Sequence, residues 1–148
     1  MSSFCTFSVG GRWLGLPVER VREVIRHPAV TPVPLAPPVV AGLINLRGDV
    51  LLAIDLRVRL GLPAAKSERP PLDLIFHGRD GVVSLVADEV GPVLQMRDED
   101  FEPIPETVPA ATRSLLTGAY KLPDRIVLIL DSDRTADLKI REAHRGGR

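Results

Sequence analysis

Valine, leucine and isoleucine come in short bursts along this chain, each closed by proline, glycine or a turn-forming polar residue, and that punctuation leaves room for little but short strands. Fourteen prolines and 12 glycines break 148 residues at close intervals. No segment keeps a 3.6-residue apolar period for long. An all-β barrel or sandwich follows. The candidate strands are Phe4–Val9, Trp13–Pro17, Val21–His27, Thr31–Val33, Leu43–Leu46, Val50–Asp55, Leu72–His77, Val82–Ala87, Gly91–Met96 and Ile126–Leu130. Short helical turns are expected before Gly42 and Gly118, each glycine serving as a positive-φ cap. Ser132-Asp133 followed by Thr135–Ala143 reads as a capped C-terminal helix. Residues 139–148 are expected to end that helix and continue as a flexible tail.

The chain also repeats itself. Leu14–Val21 is echoed by Val83–Val90, and Val24-Ile25 by Val93-Leu94 at the same offset. Further on, Gly42, Val50 and Asp55 find counterparts in Gly118, Ile126 and Asp131 at a constant spacing of 76. One domain over residues 4–138 is expected, built from two halves, about 4–62 and 72–138, that form two similar small barrels side by side. Pro63–Pro71 is the expected separator.

Composition removes several classes of function. Nineteen basic residues balance 19 acidic ones, so no domain-wide field attracts nucleic acid or an anionic membrane. Aromatics make up only 4% of the chain, which leaves a single-strand stacking platform without material. No apolar run reaches the ~18 residues of a membrane span. One cysteine, Cys5, rules out an internal disulfide framework, and Met1-Ser2-Ser3-Phe4 lacks the charged and apolar regions of a signal peptide. A cytoplasmic location is expected.

Catalytic signals are absent too. His27, His77 and His144 lie far apart with no metal-pair spacing. Asp98-Glu99-Asp100 with Glu102 reads as a solvated loop, and Val9-Gly10-Gly11-Arg12 as a hairpin turn without phosphate-cradling chemistry. No catalytic, cofactor-binding or metal-ligating residue is assigned. Cys5 reads as a small buried hydrophobe beside Phe4 and Phe7, and Trp13 as core or barrel rim.

Asn45-Leu46-Arg47-Gly48 stands out because it reverses the chain between two strongly apolar runs, Val39–Ile44 and Val50–Ile54. Asn and Gly are hairpin-turn residues, so Arg47 is displayed at the end of a buried sheet as a bidentate donor. It could serve a partner or pair with a nearby carboxylate such as Glu23. Glu23 itself could face solvent or a partner.

With Val18–Ile25 before it, Thr31-Pro32-Val33-Pro34 between, and Asp55–Leu62 after it, this turn resembles the signature of the CheW-like adaptor domain. The resemblance extends from Phe4 to about Leu138. It implies a pair of five-stranded SH3-like barrels around a shared core, with a short C-terminal helix. It further implies a non-enzymatic, cofactor-free adaptor that joins the cytoplasmic tip of a chemoreceptor to the regulatory domain of a CheA-type histidine kinase, and meets other CheW-like domains. Such a protein would be recruited to membrane-associated arrays without inserting into the bilayer. By position, Val21, Glu23, Asn45, Arg47, Gly48 and Val93 would carry partner contacts. Ser84 stands where relatives commonly have glycine, and its hydroxymethyl group would narrow the groove between barrels. The other readings are a homo-oligomerising barrel in another pathway and a small nucleic-acid-binding barrel.

Overall fold

A computed structural model describes residues 1–63 and 69–138. Ten strands carry the fold: β1 (Ser2–Val9), β2 (Arg12–Pro17), β3 (Val21–Arg26), β4 (Val40–Leu46), β5 (Asp49–Asp55), β6 (Leu72–Gly78), β7 (Gly81–Ala87), β8 (Glu89–Met96), β9 (Leu116–Lys121) and β10 (Ile126–Leu130). Among the described residues, short helices α1 (Leu56–Arg59) and α2 (Ala110–Arg113) lie in the connections and α3 (Ser132–Ala136) follows the last strand. The strands form two five-stranded sheets, ordered β8-β1-β2-β10-β9 and β3-β6-β7-β5-β4.

The halves of the sequence are therefore not the two barrels. Each barrel takes a hairpin from one half and three strands from the other, joined through the parallel pairs β2–β10 and β5–β7. The chain crosses between barrels at the 3-10 turn Val18–Arg20 and again at Asp88. Pro63–Pro71, of which residues 64–68 lie outside the described residues, connects two strands of one barrel. Asp88 is stitched at its crossing, accepting from the Gly10 N–H at 2.9 Å and from Arg57 Nη2 at 2.7 Å.

Alternation along the strands produces three apolar clusters. A central one, shared by both barrels, contains Phe7, Leu14, Leu16, Ile54, Leu74, Phe76, Leu85 and Leu130. The other faces line the barrel interiors: Phe4, Tyr120, Val127 and Ile129 in the first, and Ile44, Leu51, Ala53 and Ile75 in the second.

Several local expectations need correction. Thr31–Val33 contributes one isolated bridge, Thr31 to Leu43, rather than a strand. A helical turn, α2, does precede Gly118, but β9 is missing from the expected strands, and its pairing with β10 makes Gly118 a mid-strand residue rather than a cap. Gly42 likewise lies inside β4, where its φ is +149°. The terminal helix is capped by Asp131, whose side chain accepts from the Arg134 N–H, and ends at Ala136; the stretch expected from 139 onward lies outside the described residues.

The two glycines are needed for different reasons. A Cβ at Gly42 would sit 2.7 Å from the Thr31 carbonyl oxygen, on a backbone that L-residues avoid. A Cβ at Gly118 would collide with Phe101 Cζ, but that residue is 42% exposed and its ring can swing outward. Gly42→Val is expected to cost about 2 kcal/mol, and Gly118→Val about 1 kcal/mol through loss of the Phe101–Tyr120 ring contact. Chemical denaturation of the two variants checks the order.

Candidate functional site

The β4–β5 connection is a two-residue turn in which Arg47 (φ 51°) and Gly48 (φ 92°) are both left-handed. Such a turn matches the right-handed twist of the flanking strands. Gly48 takes this conformation freely, whereas for Arg47 it is strained. Asn45 supports the reversal from the strand before it, its Oδ1 accepting from the Gly48 N–H at 3.0 Å. Asn45, Arg47 and Gly48 are all exposed.

Glu23 comes to this turn from β3, the edge strand on the far side of the same sheet. Arg47 Nη2 donates to Glu23 Oε2, and Arg22 Nε lies 3.9 Å from the same oxygen. The Arg47 side chain is 62% exposed and that of Glu23 26%, so the guanidinium is braced on one side and open to solvent on the other. The hydrogen bond from Arg47, with the charges of Arg47 and Arg22 behind it, holds the Glu23 carboxyl below the ordinary carboxylate range. The same hydrogen bond and charge raise the Arg47 pKa.

A depressed carboxylate pKa means the interaction is present above the unfolded value and is lost as pH falls through the folded value. The pair is therefore expected to persist unchanged between pH 6 and 8 and to break only in acid. Titration of the Glu23 side chain by NMR, with Arg47→Ala moving it back toward the ordinary range, checks this.

Five of the six expected contact residues thus lie on one barrel, four of them around this turn. Val21 is half-buried against the central cluster. Val93 belongs to the other barrel, on its edge strand β8, and is 63% exposed. The structure also exposes Val24, Val50 and Ile126. The repeat pairs them, Val24 with Val93 and Val50 with Ile126, and that pairing with the one expected contact Val93 is the sequence signal that could have found them. Each barrel therefore carries an exposed aliphatic residue on its edge strand and another at the start of the strand after a tight turn. Leu35, fully exposed at φ 63° among Pro32, Pro34, Pro37 and Pro38, had no such sequence signal.

Other singled-out residues have ordinary surroundings. Ser84 is buried, donating from Oγ to Asp73 Oδ2 at 2.6 Å, so it does not narrow any groove. Trp13 lines the first barrel with Arg125 stacked 4.2 Å over its ring, which covers a face that a nucleobase would need. Burial pushes the Cys5 thiol up, away from nucleophilic use. Asp98 is exposed and tied to Ser2 Oγ at 2.7 Å. Among the described residues no group of three His, Cys, Asp or Glu side chains is placed to hold a metal ion.

Comparison with known proteins gives a consistent picture. The CheW-like domain family matches residues 3–139. A chemotaxis protein CheW of Rhizobium meliloti is 32% identical over 137 residues, covering 93% of this chain and 88% of the relative. One from Bacillus subtilis is 31% identical over 131 residues, covering 88% and 84%. Protein FrzA of Myxococcus xanthus is 36% identical over 115 residues, covering 76% and 70%. Among solved structures, the scaffolding protein TtCheW of Thermoanaerobacter tengcongensis superposes with a TM-score of 0.83 at 25% identity, over 93% of each chain.

Proposed function

The chain belongs to the CheW-like domain family, and from that premise we propose that it is a non-enzymatic chemotaxis adaptor that couples the cytoplasmic tip of a chemoreceptor to the regulatory domain of a CheA-type histidine kinase. The observation that carries this reading is the Arg47 turn: a guanidinium displayed in a strained conformation, braced by Glu23 and otherwise unshielded. A backbone strain kept at an exposed position is a feature of functional sites. The guanidinium and the exposed aliphatic residues of both barrels supply an apolar contact with a charged rim, the usual anatomy of a protein interface.

Other CheW-like domains are further partners in this reading, because Val24 with Val50 and Val93 with Ile126 give the two barrels equivalent exposed positions. Weak contacts of this kind gain strength when several form in one lattice. No helix among the described residues is long and apolar enough to cross a membrane. The proposed location is the cytoplasmic side of receptor arrays, reached by recruitment.

Calorimetry against a CheA-type regulatory domain, a receptor tip and single-stranded DNA, each at two salt concentrations, tests the proposal. Binding to at least one of the proteins is expected to survive moderate salt, since apolar burial is not screened. Silence toward both proteins, together with DNA binding that falls steeply with salt, overturns it.

A further inference from the structure

The two barrels correspond strand by strand, β1, β2 and β3 matching β6, β7 and β8 at a sequence offset of 69 and β4 and β5 matching β9 and β10 at 76, and the register of the first three follows this rule. Phe4 pairs with Pro17 and Thr6 with Gly15 in the first, as Asp73 pairs with Val86 and Ile75 with Ser84 in the second. The edge strands follow the same rule, Phe4 facing Leu94 as Asp73 faces Ile25. At three linked positions the two interiors differ in kind. The first barrel has Phe4, Gly15 and Met96, with Phe4 and Met96 in its apolar cluster. The second has Asp73, Ser84 and His27.

These three residues form a linked polar unit in an otherwise aliphatic barrel, with Asp73 and Ser84 buried and the His27 side chain 23% exposed at the end of β3. Asp73 is fully buried. One of its oxygens, Oδ1, meets His27 Nδ1 at 2.6 Å, and the other, Oδ2, accepts from Ser84 Oγ at 2.6 Å. The backbone N–H of His27 adds a bond to the Pro71 carbonyl at 3.1 Å. The arrangement has no catalytic order, because the carboxylate sits between histidine and serine and no nucleophile is activated.

We propose that His27, Asp73 and Ser84 are positioning residues for the partner-binding face: they lock edge strand β3 in register and so hold Glu23 against Arg47. This rests on the adaptor reading of that face. β3 is hydrogen-bonded on one side only and contains a bulge between Val21 and Glu23; of its residues only Val21 and Ile25 pack on the apolar clusters, which leaves part of its register to be fixed by other contacts. Residues 23, 25 and 27 share one face of the strand, with Ile25 in the barrel cluster between Glu23 and His27. A one-residue slip would turn His27 outward and leave Oδ1 of the buried Asp73 without a side-chain partner, with Ser84 alone on Oδ2, which is disfavoured. The apolar trio of the first barrel imposes no such penalty on β8. Buried polar groups that fix register at some expense of stability have precedent in other folds.

The experiment compares wild type with His27→Leu and with a transplant of the other barrel's trio, His27→Met/Asp73→Phe/Ser84→Gly. Amide exchange is read over Val21–Arg26 and, as the internal control, over the equivalent edge strand Glu89–Met96. Both variants are expected to exchange at least about tenfold faster in β3 with β8 unchanged. The transplant is expected to bind the kinase regulatory domain or receptor tip about tenfold more weakly even where its melting temperature matches wild type, because removing a whole buried polar unit need not destabilise. Wild-type β3 protection in His27→Leu overturns the proposal, as does wild-type affinity with a loosened β3. Uniform loosening of β3 and β8 assigns the trio a purely structural role and overturns it too. Should the transplant not fold, Ser84→Ala with His27→Leu gives the same readout. If wild type itself binds neither partner, the adaptor reading fails while the exchange data still decide whether the trio locks β3.

Discussion

Replacing Phe7 or Phe76 by alanine is expected to lower the unfolding free energy by about 4 kcal/mol in each case and to leave a single unfolding transition in both. The two rings are fully buried in the central cluster, on β1 and β6 at the offset of 69 that relates the barrels. Leu16 and Leu85 repeat the relation, and Ile54 with Leu130 does so at the spacing of 76. The cluster is therefore a set of paired contributions, one from each barrel, and neither barrel has that apolar face covered without the other. Strand exchange strengthens the dependence, since melting either half of the sequence would remove strands from both sheets. Calorimetric and van't Hoff enthalpies should agree for wild type and both variants. Two resolved transitions in Phe7→Ala, with one barrel surviving the other, would contradict the shared core.

What could be read from the sequence divides along the range of the interactions. The Asn45–Gly48 hairpin was legible because its chemistry is local: an Asn that caps its own turn, and a Gly where positive φ is required. The strands with dense β-branched and leucine content were legible for the same reason. β9 was not, because Gly118-Ala119 puts two residues of weak strand propensity at its centre, and the segment becomes a strand through β10 and the Phe101 ring that rests on Gly118. The repeat announced two similar units, yet nothing local marks which strands share a sheet, since β2–β10 and β5–β7 pair residues distant in sequence. The polar trio was hidden in the same way. Its only trace was an aspartate inside the apolar run Leu72–Phe76, with partners 46 and 11 residues away.

Glu23, Asn45, Arg47 and Gly48 meet at one turn, whereas their connection was open in the sequence, because Arg47 could serve a partner or simply pair with Glu23. The structure makes the pair, and this sharpens the second large effect. Arg47→Glu is expected to weaken binding to the kinase regulatory domain or receptor tip by at least about tenfold, while shifting the melting temperature little, as exposed substitutions usually do. The charge-swapped variant Glu23→Arg/Arg47→Glu then separates the two roles. It restores an ion pair between the same strands, so a bond needed only to brace the turn would bring binding back. If the open side of the guanidinium meets the partner, the swap restores the brace but presents a carboxylate where a cation is required, and like charges across an interface oppose docking. Binding is expected to remain lost in the swapped variant, with its melting temperature at or near that of wild type. Recovery of wild-type affinity would assign Arg47 to the fold alone and move the interface elsewhere on the barrel.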